Sequence, residues 1–81
     1  MALVRVQDRI HFFTADSVEL KVVGAGRWDG VVNGFRRFHI VGGRKSGGAS
    51  NEWFVSCRTL FGDEWIPTRS MVECIRHVVN G

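Results

Sequence analysis

The sequence predicts a mainly β protein built from antiparallel strands. Residues 3–60 contain short runs in which apolar and polar side chains alternate, which is typical of strands with one buried face. Clusters of glycine separate these runs, and glycine allows the backbone conformations that tight reversals need. The chain has 81 residues, 44% of them hydrophobic and 23% charged, which is ordinary usage for a folded protein. We therefore expect a single domain over residues 1–81.

Two strands are predicted in the first third of the chain. Leu3–Phe13 is rich in β-branched and aromatic residues and predicts the first strand. Ser17–Val23 alternates strictly and predicts the second, with Val18 on one face and Glu19 on the other. Residues 24–30 contain three glycines, which disfavour a continuing strand, so we expect a turn there.

The middle of the chain predicts a third strand followed by a loop. Val31–Val41 is rich in β-favouring residues but is interrupted at Asn33-Gly34. This dipeptide is typical either of a two-residue hairpin turn or of a bulge within one strand. We favour the bulge, because neither flank is long enough by itself to form a convincing hairpin. Gly42–Ser50, with four glycines and two serines, predicts a loop.

One more strand is predicted after this loop. Trp53–Leu60 alternates again, which places Trp53, Val55 and Cys57 on one core face and favours pairing with residues 35–41.

Ser70 and Glu73 have the spacing of a capping box, and the apolar residues after them recur at helical intervals, which predicts a short C-terminal helix. The alternative is a short 3₁₀ turn at residues 68–71 followed by a final strand.

Residues 53–75 resemble the C-terminal half of an SH3 domain. The matching positions are an aromatic pair, a turn glycine, an aromatic-Ile-Pro step and two later apolar residues, namely Trp53-Phe54, Gly62, Trp65-Ile66-Pro67, Val72 and Ile75. The resemblance implies a five-stranded antiparallel SH3-like barrel whose last strand follows a 3₁₀ turn. It also implies a peptide-binding groove that contains Trp53, Trp65 and Pro67. The chain has no tyrosine, whereas peptide-binding SH3 domains use several, so proline-rich peptides are disfavoured as ligands.

Positive charge is concentrated in the middle of the chain. The formal net charge is +3, and no acidic residue lies between Asp29 and Glu52. Aromatic residues accompany the basic ones in the run Phe35–Phe38, and the two types together neutralise phosphates and stack on bases. The predicted nucleic-acid contacts are Arg27, Trp28, Arg36, Arg37, Arg44 and Lys45.

We therefore predict a non-enzymatic binding module that contacts nucleic acid through residues 30–51. The alternatives are a protein- or peptide-binding SH3-like adaptor and a homo-oligomeric interaction protein. A third class, a small enzyme whose site forms between subunits, needs no local motif.

The sequence contains no pattern that predicts a metal, a cofactor or contact with a membrane. Cys74 and His77 have the spacing of two zinc ligands on a helix, but no second Cys/His pair accompanies them. No stretch approaches the ~20 apolar residues that cross a bilayer, and the first residues lack a signal-peptide pattern. We therefore expect a cytoplasmic protein.

Overall fold

In the computed structural model, which describes residues 1–59 and 62–80, the chain forms seven strands in two sheets and one C-terminal helix. In chain order the elements are β1 (Ala2–Val6), β2 (Arg9–Phe13), β3 (Val18–Gly24), β4 (Arg27–Val32), β5 (Arg36–Gly42), β6 (Trp53–Thr59), β7 (Gly62–Thr68) and α1 (Met71–Asn80). Every strand pairing is antiparallel, so the prediction of a mainly β protein is confirmed. Among the described residues, no helix is long and apolar enough to cross a membrane.

Five consecutive strands form one antiparallel meander. Each strand is hydrogen-bonded to the next in the order β3-β4-β5-β6-β7, and β1 and β2 form a separate two-stranded hairpin. In the described part of the chain, β3 and β7 are therefore the two edges of an open sheet. The closed barrel that the SH3 resemblance implies is not found there, and an SH3-like fold stays a prediction.

Two reversals divide segments that the sequence predicts as continuous strands. Leu3–Phe13 is a hairpin of two strands, because Gln7, at a φ of 57°, starts a turn. Asn33-Gly34 begins the turn between β4 and β5, so the predicted bulge is wrong. The segment is a hairpin, as in the alternative, but Val32 pairs with Arg36, so its loop has three residues and not two. Asn33 and Gly34 have positive φ, 56° and 78°, which Asn and Gly tolerate best. The Asn33 side-chain oxygen holds the turn in place by accepting hydrogen bonds from the N–H groups of Asp16 and Ser17.

Gly30 lies within a strand, not in a turn. Because β4 begins at Arg27, the turn predicted over residues 24–30 is confined to residues 25–26. Gly30 lies directly opposite Phe38 of β5, whose ring is fully buried. A Cβ built on Gly30 would be 2.1 Å from Cζ of that ring. The missing side chain therefore makes room for the aromatic ring on the sheet.

The core lies between one face of the five-stranded sheet, which we call the inner face, and a second layer formed by the hairpin and α1. The inner face contributes buried side chains from three adjacent strands, namely Val32, Phe38, Ile40, Trp53 and Val55. The second layer contributes Val4, Val6, Phe13, Met71, Cys74, Ile75 and Val78. The opposite face of the sheet, the outer face, is turned away from this core.

The predicted register of β6 is confirmed. Trp53 and Val55 are buried in the core, and Cys57 packs against its margin on the same face. β6 pairs with β5, as predicted. Leu60, the last residue of the predicted strand, lies outside the described residues.

The C-terminal residues form a helix, as one of the two interpretations predicts. The Ser70 hydroxyl accepts a hydrogen bond from the N–H of Glu73 at 3.1 Å, and the Glu73 carboxylate accepts one from the N–H of Arg69 at 2.9 Å. The first bond caps the helix N-terminus, and the second binds Arg69, the residue before the cap, to the first turn. At the other end, Arg36 Nη1 donates to the Val78 carbonyl at 2.9 Å. The alternative of a 3₁₀ turn followed by a final strand is wrong.

Replacing Gly30 with alanine is expected to lower the free energy of unfolding by about 1 to 3 kcal/mol, because the new methyl group displaces the buried Phe38 ring. Thermal unfolding followed by circular dichroism measures the loss. Gly24→Ala is the matched control, since a Cβ at Gly24 meets only the Arg27 side chain, at 3.7 Å or more. Equal stability of the two variants would contradict the close contact between Gly30 and Phe38.

Candidate nucleic-acid interface

An open cleft of about 720 Å³ lies where the tip of the hairpin, the second half of β3 and the start of the β5–β6 loop meet. Three residues predicted to contact nucleic acid line it, namely Trp28, Arg44 and Lys45. Arg5 and Asp8 of the hairpin line it as well. We call this site the Trp28 cleft.

Trp28 and Trp53 pack against each other in the wall of the Trp28 cleft. Their ring centroids are 5.5 Å apart and their planes are tilted by 37°, an arrangement that aromatic pairs favour. Trp53 is 5% exposed, and its Nε1 donates to the Ser50 carbonyl at 3.0 Å, so its position is fixed. Trp28 is only half-buried, which leaves part of its ring system available to a ligand.

The Trp53 indole lies directly on the backbone of Gly42-Gly43. A Cβ at Gly42 would be 2.7 Å from the Trp53 Cα, and one at Gly43 would be 2.9 Å from Cζ2 of the indole. Gly43 also has a φ of 75°, which residues with side chains rarely adopt. This close contact directs the chain so that the next two residues, Arg44 and Lys45, lie at the cleft.

Hydrogen bonds hold the loop that carries these two cations. Residues Arg44–Ser46 form a 3₁₀ turn, in which the Ser46 N–H and hydroxyl both donate to the Gly43 carbonyl, at 3.2 and 2.8 Å. The Gly42 N–H donates to the Gly26 carbonyl at 3.0 Å, which ties the loop to the turn between β3 and β4. The backbone that presents Arg44 and Lys45 is thus fixed relative to Trp28.

The Trp28 cleft carries a net positive charge. Arg5, Arg44 and Lys45 contribute three cations. Asp8 contributes one carboxylate, so the formal sum is +2. All four side chains are exposed, and salt therefore screens the attraction that they exert on an anion. The sequence analysis missed Arg5 and Asp8, because only the fold of the hairpin brings them near residues 44 and 45.

The other predicted basic contacts lie elsewhere. Arg36 is bonded to the carbonyl of Val78, where a cation interacts favourably with the C-terminal end of a helix. Arg37 is the next residue on the strand and therefore points to the outer face. Arg27 alternates with Trp28 and also lies on the outer side of the sheet. The structure does not bring these three arginines together with Arg44 and Lys45.

A second depression, of about 670 Å³, is lined by charged side chains of the outer face. Lys21 and Arg37 contribute two cations there. Glu19 and Asp29 contribute two carboxylates, so the formal sum is zero. His39 Nδ1 donates to the Asp29 carboxylate at 2.6 Å. A polyanion finds no net attraction in this depression, which makes the Trp28 cleft the better anion site.

The residues of the predicted peptide groove do not share a face. Trp53 faces the core, whereas Trp65 and Pro67 lie on the outer face beside Phe54. Trp65 is 52% exposed there. Trp65 and Pro67 therefore form an apolar part of the outer face that is separated from Trp53 by the sheet itself.

Both cysteines are free thiols, and Cys74 belongs to the core. Burial raises the pKa of Cys74 to about 11, although the Thr68 hydroxyl, 3.0 Å from its sulfur, acts in the opposite direction. The thiol is therefore neutral at pH 7 and is not activated as a nucleophile. Within the residues that the structure describes, His, Cys, Asp and Glu form no group of three or more that could hold a metal ion.

Comparison with known proteins does not assign the chain to a family. No family model matches it, and no curated protein or solved structure is significantly similar to it. The charge and packing of the Trp28 cleft are thus the observations from which a function is inferred.

Cys74 in the folded protein is expected to resist alkylation by iodoacetamide at mildly alkaline pH, because it is buried and its raised pKa keeps it protonated. Intact-mass spectrometry should show labelling at Cys57 alone in the folded chain and at both cysteines after denaturation.

The raised pKa of Cys74 also predicts that the stability of the fold falls as pH rises above 9.0, the ordinary pKa of the thiol, because the unfolded chain releases the thiol proton first.

A Cys57→Ser variant is the control for the alkylation experiment. Iodoacetamide labelling of this variant before denaturation would contradict a buried, protonated Cys74.

Proposed function

We propose that the protein is a non-enzymatic binding module that holds single-stranded nucleic acid in the Trp28 cleft. The observation that carries this proposal is the position of a half-buried tryptophan among exposed cations, since Trp28 lines the same cleft as Arg5, Arg44 and Lys45. Proteins that bind single strands combine positive grooves for the backbone with aromatic rings on which bases stack.

The Trp28 cleft suits a single strand better than a duplex. Its volume of about 720 Å³ is in the range of sites that enclose a small molecule. A base has to leave its stack before it can lie on Trp28, and that step costs least in an unpaired strand. An isolated nucleotide unit of a flexible strand therefore fits the site better than a rigid helix does.

The distribution of charge gives the bound strand a direction across the cleft. Arg44 and Lys45 attract phosphate groups to the loop side of the cleft, whereas the charges of Arg5 and Asp8 cancel on the hairpin side. Asp8 and the neighbouring Gln7 are suited to accept hydrogen bonds from the exocyclic amino groups of bases. We therefore expect phosphates beside Arg44 and Lys45 and the base edge towards the hairpin.

Binding to a protein is the second candidate function. The face of the hairpin that is turned away from the core exposes Leu3, Ile10 and Phe12, with Leu3 directly opposite Phe12. Contiguous exposed apolar surface is typical of protein interaction sites. This observation favours an adaptor role that would use the hairpin and not the Trp28 cleft.

Replacing both Arg44 and Lys45 with alanine is expected to weaken binding of a single-stranded oligonucleotide. The slope of log affinity against log salt should fall in magnitude by about 1.4, because each phosphate contact of a single strand contributes ~0.7. Fluorescence anisotropy with a labelled oligonucleotide over a salt series measures both quantities.

The matched control is Arg37→Ala/Arg76→Ala, which removes the same charge from exposed positions outside the Trp28 cleft. Equal losses in the two double variants would show that binding follows net charge and not the cleft. A wild-type protein that binds neither DNA nor RNA at low salt would transfer the assignment to a protein partner.

A Trp28→Leu variant is expected to bind the oligonucleotide roughly 5- to 150-fold more weakly, which corresponds to the loss of one base stacked on an aromatic ring. Leucine keeps an apolar contact with Trp53, and thermal unfolding verifies that the variant is folded. Trp65→Leu removes an exposed tryptophan from the outer face and should leave affinity unchanged. Wild-type affinity in a folded Trp28→Leu variant would exclude stacking on Trp28.

A further inference from the structure

In the described part of the chain, one edge of β3 has no hydrogen-bonded neighbour, and its backbone is regular. β3 is the first strand of the meander and is hydrogen-bonded to β4 along one side. Residues 18–22 pair with β4 in continuous register, and the register shifts only after Val22. A regular edge strand presents backbone N–H and C=O groups to which another strand can bind.

Apolar side chains at this edge are exposed to solvent. Val22 is 68% exposed and Val23 is 50% exposed, although valine is among the residues most often buried in folded proteins. Val18 and Leu20, which point to the inner face, are only half-buried. A strand added at this edge would cover these side chains.

The charges of β3 indicate which strand fits there. Glu19 and Lys21 flank Leu20 and are both exposed. If two copies pair antiparallel about a two-fold axis through Leu20, Glu19 of each copy lies opposite Lys21 of the partner subunit. Val18 then lies opposite Val22 of the partner subunit. Opposite charges and apolar side chains placed directly across from each other stabilise antiparallel strands.

The neighbouring registers are unfavourable. Residues directly opposite each other have to point to the same face of the joined sheet. The two-fold axis therefore passes through a residue of β3 and not between two residues. An axis through Glu19 places two Glu19 side chains opposite each other, and an axis through Lys21 does the same with two lysines. Like charges in these positions destabilise strand pairing. The register centred on Leu20 has two opposite-charge pairs and no like-charge pair.

We propose that the protein forms a symmetric homodimer in which the two β3 strands pair antiparallel about Leu20 and join the two five-stranded sheets into one. Lys21 then lies between Asp29, its neighbour on β4, and Glu19 of the partner subunit. A lone lysine protects an edge strand against pairing, but here a glutamate of the second copy neutralises it. The dimer does not require the nucleic-acid function, because the strand pairing uses β3 alone, although Leu20 and Val22 of β3 also line the Trp28 cleft.

Sedimentation equilibrium without nucleic acid tests the dimer, which is expected at twice the chain mass of 9.1 kDa. Glu19→Lys places a lysine opposite Lys21 of the partner subunit, and Lys21→Glu places a glutamate opposite Glu19 of the partner subunit. Each substitution should raise the dimer dissociation constant on the order of tenfold or more, because two attractive pairs become repulsive. An equimolar mixture of the two variants restores both opposite-charge pairs and is expected to recover the dimer.

Leu3→Lys is the matched control, because Leu3 is 63% exposed on the hairpin and makes none of the proposed strand-pairing contacts. Thermal unfolding verifies the fold of every variant, since Lys21→Glu also places a second carboxylate opposite Asp29 of its own chain. If Lys21→Glu does not fold, Val22→Lys replaces it as the second disruptive variant. A monomeric wild type at millimolar concentration, a dimer insensitive to Glu19→Lys, a mixture of folded Glu19→Lys and Lys21→Glu that stays monomeric, or dissociation by Leu3→Lys overturns the proposal.

Discussion

The contact between the Trp53 indole and the backbone of Gly42-Gly43 is the interaction on which the Trp28 cleft depends. The two glycines have no side chain, so the indole lies within van der Waals distance of the chain. Trp28 packs on Trp53, and the loop that begins at these glycines carries Arg44 and Lys45. A side chain at either glycine would displace the indole and with it the aromatic wall of the cleft. Core packing and the candidate binding surface are therefore parts of one arrangement.

Strand alternation distributes the positive charge of the central segment. Arg36 and Arg37 are adjacent in sequence, yet one binds the C-terminal end of α1 and the other lies on the outer face. Arg44 and Lys45 lie in the 3₁₀ turn after β5, where side chains do not alternate between two faces, and both line the cleft. The third cation of the cleft, Arg5, comes from the hairpin. A cluster of charge in the sequence is thus divided among three places, and a different cluster is assembled by the fold.

Over residues 1–59 and 62–80 the open meander has two edge strands, β3 and β7, which differ in how readily they pair. In the described residues β7 contains Pro67, which has no N–H to donate and limits pairing along that edge. β3 contains no proline and combines exposed valines with a glutamate and a lysine two positions apart. This difference is the reason that the proposed dimer uses β3. The proposed dimer and the Trp28 cleft share Leu20 and Val22, which both line the cleft.

Features that depend on neighbouring residues could be predicted from the amino-acid sequence alone. Period-two alternation predicted the mainly β fold and the core face of β6, and the spacing of Ser70 and Glu73 predicted the capped helix as one of two alternatives. Features that depend on distant residues became apparent only in the folded chain. Asn33 is in a turn partly because its side chain binds the segment before β3, and Gly30 is in a strand because the Phe38 ring covers it. Arg5 likewise lies at the cleft because of contacts between residues that are far apart in the chain. Such contacts leave no periodicity or spacing in the sequence from which they could be predicted.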